Sequence, residues 1–173
     1  LYFVEELFDY NFSVTCLTRN KKKFLENLNY YSSKKNYEIV EGNLNKLNKI
    51  KNKYDILIHL ADRVSPDLPN ENKDLLLNNS KKNISNVIRF IKDCSIEYFI
   101  YLSSGAVYEK NFYEKKFSEN EKLITDIKNE YYHYATRKLI SEEIIKNELY
   151  NSNVKYYIFR GFTFAGPYLE LDR

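Results

Sequence analysis

Apolar positions along the chain change their period several times, and each change marks an element. Leu1, Val4, Leu7 and Phe8 recur at helical spacing. "FSVTCL" (Phe12 to Leu17) alternates and is β-branched, which predicts a strand; a polar helical stretch follows through Leu28, then a short strand "YEIVEG" from Tyr37 to Gly42. "DILIHLA" (Asp55 to Ala61) is a nearly continuous apolar run of strand length, suited to a strand buried on both faces of a parallel sheet. A polar loop with two prolines comes next. Between about Asp74 and Cys94, Leu77, Ile84, Val87, Ile88 and Ile91 form one helical stripe. Then come a strand "EYFIYLSS" (Glu97 to Ser104), a polar loop of about 15 residues, a long helix from Ile124 to Leu149, and a strand "VKYYIFR" (Val154 to Arg160) running on to "AGP".

Strands and helices alternate throughout, without repeats or low-complexity linkers. Such alternation predicts βαβ units with right-handed crossovers, an α/β fold with a Rossmann-like, doubly wound parallel sheet and helices on both faces. Ligands of these sheets collect beyond the carboxyl ends of the strands. The positions to watch are therefore Thr18 and Arg19, Asn43 and Leu44, Ala61 and Asp62, Ser103 and Ser104, and Arg160 to Pro167.

Composition narrows the picture. With 173 residues, 43% of them apolar or aromatic, residues 1–173 fit a single domain with a respectable core. The 21 Lys are matched by 21 Asn and the net charge is only +3, so "KKK" at Lys21 to Lys23 reads as a solvated helix face and no nucleic-acid partner is implied. Cys16 and Cys94 lack metal spacing and read as buried thiols in a reducing compartment. No apolar run approaches the roughly 20 residues that span a bilayer, so no membrane partner is expected and the cytoplasm is the expected location. There is no methionine, even at position 1, and the chain opens as if inside a helix. The expectation is a partial domain, truncated at both ends.

Within "EYYHYATRKLISEEIIK" (residues 130–146), Tyr134 stands four positions ahead of Lys138, one turn along the same helix face. The spacing alone carries little: 17 Tyr and 21 Lys give about two such pairs by chance, and the chain has three. A second signal is "YLSSGAVYE" (Tyr101 to Glu109), which puts two serines at a strand's carboxyl end. Together with "GNL" at 42–44, "IHLA" at 58–61 and "FRGFTFAGP" at 159–167, in that order, the sequence resembles the extended short-chain dehydrogenase/reductases. More narrowly, it resembles the NAD-dependent epimerase/dehydratase family acting on nucleotide sugars.

The resemblance implies roles position by position. Tyr134 is the expected general acid/base, Lys138 its electrostatic partner and a ribose ligand, and Ser104 the hydroxyl that holds the reacting oxygen. Ser103 is expected to support the backbone near the nicotinamide, Leu60 and Ala61 to line the cofactor, and Asn43 with Leu44 to meet the adenine. A free tyrosine has a pKa near 10, so proton abstraction near neutral pH needs roughly 3 to 4 kcal/mol of preference for the phenolate. An ammonium one turn away, helped by an oxidised nicotinamide, is a source of it. Ser104 can donate to the oxygen where negative charge develops. His59 reads as a core histidine, and His133 as solvent-facing or at the rim. The expected partner is a nucleotide-sugar substrate. The helices at 74–94 and 124–149 commonly pair across a dimer as a four-helix bundle in this family, which suggests a homodimer.

Departures from the family pattern refine these expectations. A dinucleotide site needs a glycine-rich turn between its first strand and first helix, and the four glycines (Gly42, Gly105, Gly161, Gly166) form no such run. The piece by itself is thus expected to bind a dinucleotide poorly. Thr18 and Arg19 follow a strand where an acidic ribose ligand is usual, and an arginine there can meet a 2′-phosphate, which favours NADP over NAD. Asn43 stands where Asp is usual, Asp62 where a second Ala is common, and Thr163 and Ala165 where Asn and Tyr are common. Gly105 and Ala106 replace the Asp and Glu that remove water in 4,6-dehydratases, leaving epimerisation or keto-sugar reduction. The alternative from another class is a dinucleotide-binding sensor or scaffold that does no chemistry.

Overall fold

The computed structural model describes residues 2–28, 37–50, 53–60, 73–109, 117–125 and 133–162. The chain forms two compact units, Leu1–Ile50 with Ala165–Arg173, and Lys51–Phe164. In the first, α1 (Tyr2–Asp9) leads to β1 (Val14–Thr18), α2 (Lys21–Leu28), β2 (Tyr37–Glu41) and a 3-10 helix (Leu44–Lys49). β1 and β2 pair in parallel from Val14 with Tyr37 to Thr18 with Glu41. Their carboxyl ends therefore lie side by side, and Gly42 N–H donates to the Thr18 carbonyl at 2.8 Å. Phe8 of α1 is buried with its ring 5.5 Å from that of Tyr37.

The second unit holds β3 (Ile56–His59), α3 (Lys73–Cys94), β4 (Tyr98–Ser104), α4 (His133–Leu149) and β5 (Lys155–Gly161). The strands form one parallel sheet in the order β3-β4-β5. These are the parallel sheets and helices of the predicted Rossmann-like α/β class. Side chains alternate across β4, with Phe99, Tyr101 and Ser103 buried and their neighbours half-buried. α3 and α4 pack against each other as neighbours, and Ile84, Val87, Ile91, Ile145 and Leu149 are buried in that core.

Local chemistry explains how several elements end. Asn11 and Ser95 have φ of 60° and 53°, the left-handed conformation that closes a helix. Phe12 N–H then reaches the Leu7 carbonyl at 2.9 Å, and Ile96 N–H the Ile91 carbonyl at 3.2 Å, each satisfying a carbonyl of the last turn. Asp74 in the first turn of α3 and Lys92 in its last complement the helix dipole.

One prediction needs correction. The helix expected from Ile124 is described only from His133 onward, and Ile124 lies outside it in extended pairing. Leu123 bridges Tyr108 antiparallel, Ile124 N–H donates to the Val107 carbonyl at 3.0 Å and Glu109 N–H to the Lys122 carbonyl at 2.8 Å. The apolar pair Leu123–Ile124 fits a helical stripe or an extended segment equally well, and here hydrogen bonds to residues 107–109 decide for an isolated extended bridge.

Candidate active site

The site is assembled where β4 ends and α4 begins. Ser104 closes β4 and caps a 3-10 turn, Gly105–Val107, its Oγ accepting from Ala106 N–H at 3.2 Å. Glycine stands at the start of the turn, where a Cβ would run into the ring of Phe162, just past β5, unless that ring moved. Phe162 in turn lies parallel to Tyr108, with centroids 6.1 Å apart and planes 8° from one another, and beside Phe117 at 5.8 Å.

β4 extends three residues beyond its last pairing with β3, which joins His59 to Tyr101. In that stretch the Leu102 carbonyl accepts a hydrogen bond from Lys138 Nζ at 2.8 Å. Lys138 is buried, and its ammonium sits over the rings of Tyr101, at 5.0 Å, and Tyr134, at 5.8 Å. The pair singled out by spacing is thus physically joined, and Lys138 ties Tyr134 to the strand that carries Ser104. Arg137 approaches the Tyr134 ring at the same 5.8 Å. Two cations thus lie against one aromatic ring, within cation–π distance.

Sequence reasoning missed the group that packs behind this pair. Glu142, four residues after Lys138, is 1% exposed. Its carboxylate accepts from Ser103 Oγ at 2.5 Å, from Arg160 Nε at 3.1 Å and from Arg160 Nη2 at 2.7 Å, while Lys146 Nζ lies 3.8 Å away. Arg160 Nη1 donates to the Tyr108 hydroxyl at 3.1 Å. The hydrogen bonds to Glu142 hold the Arg160 guanidinium well above its ordinary pKa, outweighing burial, with Tyr108 adding to them. The available signal was the repeated spacing Tyr134, Lys138, Glu142 on one helix, with Arg160 at a strand's end.

The remaining expected positions fall as follows. The Ser103 side chain faces α4 and is engaged with Glu142. Leu60 follows β3 and is exposed; Ala61, Asp62, Thr163 and Ala165 lie outside the described residues. Thr18 Oγ1 accepts from Asn20 N–H at 3.3 Å, Asn20 caps α2 through Lys23 N–H at 2.8 Å, and Arg19 is exposed. Asn43 caps the 3-10 helix that begins at Leu44, its Oδ1 accepting from Asn45 N–H at 3.0 Å. In unit one, then, β1 and β2 end side by side at Thr18 and Glu41, with Arg19 following the first and Asn43 and Leu44 soon after the second. His59 is buried and stacked on Tyr101, as expected of a core histidine, and His133 is half-buried at the start of α4. Burial raises the Cys16 thiol to about 11, and it also raises that of Cys94, which Asp93 assists. Among the described residues no cluster suits a metal ion, and no helix is long and apolar enough to cross a membrane.

Parallel strands joined by helices, with a tyrosine–lysine pair on α4 whose lysine bonds the end of β4, define a Rossmann-like α/β protein. The match over residues 1–173 is to the NAD dependent epimerase/dehydratase family, and the chain belongs to it. Solved structures agree on the fold. The UDP-Glc/GlcNAc 4-epimerase from Campylobacter jejuni is 20% identical with a TM-score of 0.75, over 91% of this chain and 48% of that one. UDP-N-acetylglucosamine 4-epimerase from Methanobrevibacter ruminantium M1, in complex with UDP-N-acetylmuramic acid, is 24% identical with a TM-score of 0.74, over 93% and 50%. UDP-glucuronic acid 4-epimerase from Bacillus cereus, in complex with UDP-glucuronic acid and NAD, is 18% identical with a TM-score of 0.77, over 99% and 55%. The chain spans about half the length of these structures. No curated protein sequence matches it.

Proposed function

We propose that this chain carries the catalytic residues of an NAD(P)-dependent enzyme that epimerises a nucleotide-activated sugar or reduces its keto form. Tyr134 takes the proton from a substrate hydroxyl as phenolate, or returns it as phenol. Ser104 donates to the same oxygen as its charge changes, and Lys138 holds the negative charge on Tyr134. The observation that carries the reading is the buried Lys138 ammonium, bonded to the Leu102 carbonyl and lying beside Tyr134. A buried ammonium is costly unless its charge serves a partner.

The cofactor of this reading is a nicotinamide dinucleotide, and each unit by itself offers residues of the kind it needs. Lys138 supplies a donor for a ribose hydroxyl, with Leu60, Ala61, Asp62 and Ser103 as the further residues of the nicotinamide end. In the first unit, Thr18, Arg19, Asn43 and Leu44 would meet the adenine and its ribose. The cofactor would supply the acceptor and donor of hydride. Exposed Arg19 favours a 2′-phosphate, hence NADP; an Arg19→Ala protein that keeps its preference between NADP and NAD would remove this point.

Elimination of water is disfavoured, because Gly105 and Ala106 carry no acid and Phe162 fills the space where a side chain at 105 would stand. Free Cys16 and Cys94 suit a reducing, cytoplasmic setting, and the α3–α4 pair is the face through which a homodimer would form. A dinucleotide sensor or scaffold is the second reading, but it has no use for a Ser104, Tyr134 and Lys138 set. The test is Tyr134→Phe in the full-length protein, following nicotinamide absorbance with candidate nucleotide sugars. Loss of at least about 100-fold in kcat is expected for removal of a general acid/base. Unchanged hydride transfer would end the assignment, and a wild type that binds dinucleotide yet turns over none of the sugars would favour the sensor.

A further inference from the structure

We infer that Glu142 is a positioning residue, whose buried contacts to Ser103 and Arg160 hold the strand end bearing Ser104 in register with the helix bearing Tyr134 and Lys138. The inference rests on the function proposed above, and deepens it by adding a residue that touches neither substrate nor cofactor.

The argument begins with placement. Tyr134, Lys138 and Glu142 follow one another at four-residue intervals along α4, and the last two each grip the end of β4. Lys138 takes the Leu102 carbonyl and Glu142 takes the Ser103 hydroxyl, so the two residues immediately before Ser104 are both tied to the helix that carries the phenol. Glu142 also grips β5 through Arg160 Nε and Nη2, and Arg160 Nη1 continues to Tyr108, the residue that follows the 3-10 turn capped by Ser104. One carboxylate thereby reaches Ser104 from both sides, through Ser103 before it and through Tyr108 after the turn.

Physical cost supports a specific purpose. A fully buried carboxylate is stable only when its partners replace the lost water, and an apolar residue of similar size would often pack there at no loss of stability. What an ion pair provides and an apolar contact does not is directional geometry: a planar guanidinium and a short hydroxyl contact fix orientation as well as distance. Acid–base catalysis loses heavily when its groups are misplaced by about an ångström.

Arg137 and Lys138 from its own helix lie over the Tyr134 ring, with Tyr101 of β4 beneath the Lys138 ammonium. Around Glu142 they are Arg160 from β5 and Lys146 from its own helix. Weakening the Ser103 contact lets the β4 end drift from α4, which loosens the Lys138 tether and with it the stabilisation of the phenolate.

Two variants that keep the Glu142–Arg160 pair test this in the full-length protein: Ser103→Ala and Tyr108→Phe. Each is measured well below its melting temperature, and per folded molecule. The expected result for each is a fall in kcat on the order of tenfold, the equivalent of one buried hydrogen bond, with the nucleotide-sugar KM changed less than about twofold. The acidic limb of the kcat–pH profile moves to higher pH. A readout independent of turnover is the titration of Tyr134 in protein labelled with [13Cζ]tyrosine, assigned by its loss in Tyr134→Phe; its midpoint rises in both variants. Combining Glu142→Gln with Tyr134→Phe costs no more than Tyr134→Phe alone, because both act through one phenol. If kcat per folded molecule, the pH profile and the Tyr134 midpoint all match the wild type while melting temperature falls, Glu142 is structural and the inference is overturned. If wild type and Tyr134→Phe are equally active, the underlying function has failed instead.

Discussion

Removing the Glu142 carboxylate alone should be among the most destabilising single changes in the second unit. Glu142 is 1% exposed and its Arg160 partner's side chain 17%, so Glu142→Ala would leave a half-buried guanidinium and the Ser103 hydroxyl without their acceptor. Breaking a buried pair from one side costs about 3–5 kcal/mol, and in a chain of this size each kcal/mol lowers the melting temperature by about 2–4 °C. A fall of roughly 6–20 °C follows. Replacing both partners, as Glu142→Met with Arg160→Met, removes the charges together and should cost clearly less than the two single variants added. The coupling expected between these contacting residues is on the order of 2–3 kcal/mol. Urea denaturation of wild type, both singles and the double closes the cycle, with the linear slope checked for constancy across the four proteins. A double variant whose cost equals the sum of the singles within about 0.5 kcal/mol would refute the claim that the pair acts as a unit.

Two further outcomes follow from other contacts. Gly105→Ala should cost about 1–3 kcal/mol by overpacking against Phe162, and far less in a Phe162→Ala background; equal costs in the two backgrounds would mean the ring is not the obstacle. Cys16, whose thiol burial holds near 11 rather than the ordinary 9.0, stays protonated up to high pH. In the unfolded chain it ionises near its ordinary value, so the stability it contributes is complete below pH 9 and lost as pH rises toward 11. Alkylation of Cys16 in the native protein should be slow at pH 8.5 and accelerate only near 11, whereas rapid labelling at pH 8.5 would show that the thiol is not shielded.

Order and type of the main elements were legible because they follow from local rules. The β-branched alternation of β1, the apolar run of β3 and the Ile84, Val87, Ile91 stripe of α3 depend only on the period with which a strand or helix presents its side chains. The site was partly legible for a different reason: Tyr134 and Lys138 are one turn apart on any helix, and Ser104 ends any strand placed there. α4 shows the limit. Its buried face mixes Thr136, Arg137, Lys138, Ser141 and Glu142 with apolar Ala135, Ile145 and Leu149, so its apolar stripe is interrupted, and its predicted start at Ile124 lay beside an antiparallel bridge with residues 107–109.

What tertiary structure alone decided was pairing. Nothing in the chain says that Glu142 meets Arg160, 18 residues on, or Ser103, 39 residues back, or that the Phe162 ring stands where a Cβ on Gly105 would be. Local sequence fixes the direction in which a side chain leaves its backbone, whereas the partner of a buried charge is set by which strands and helices come together, and that is a property of the whole packed core.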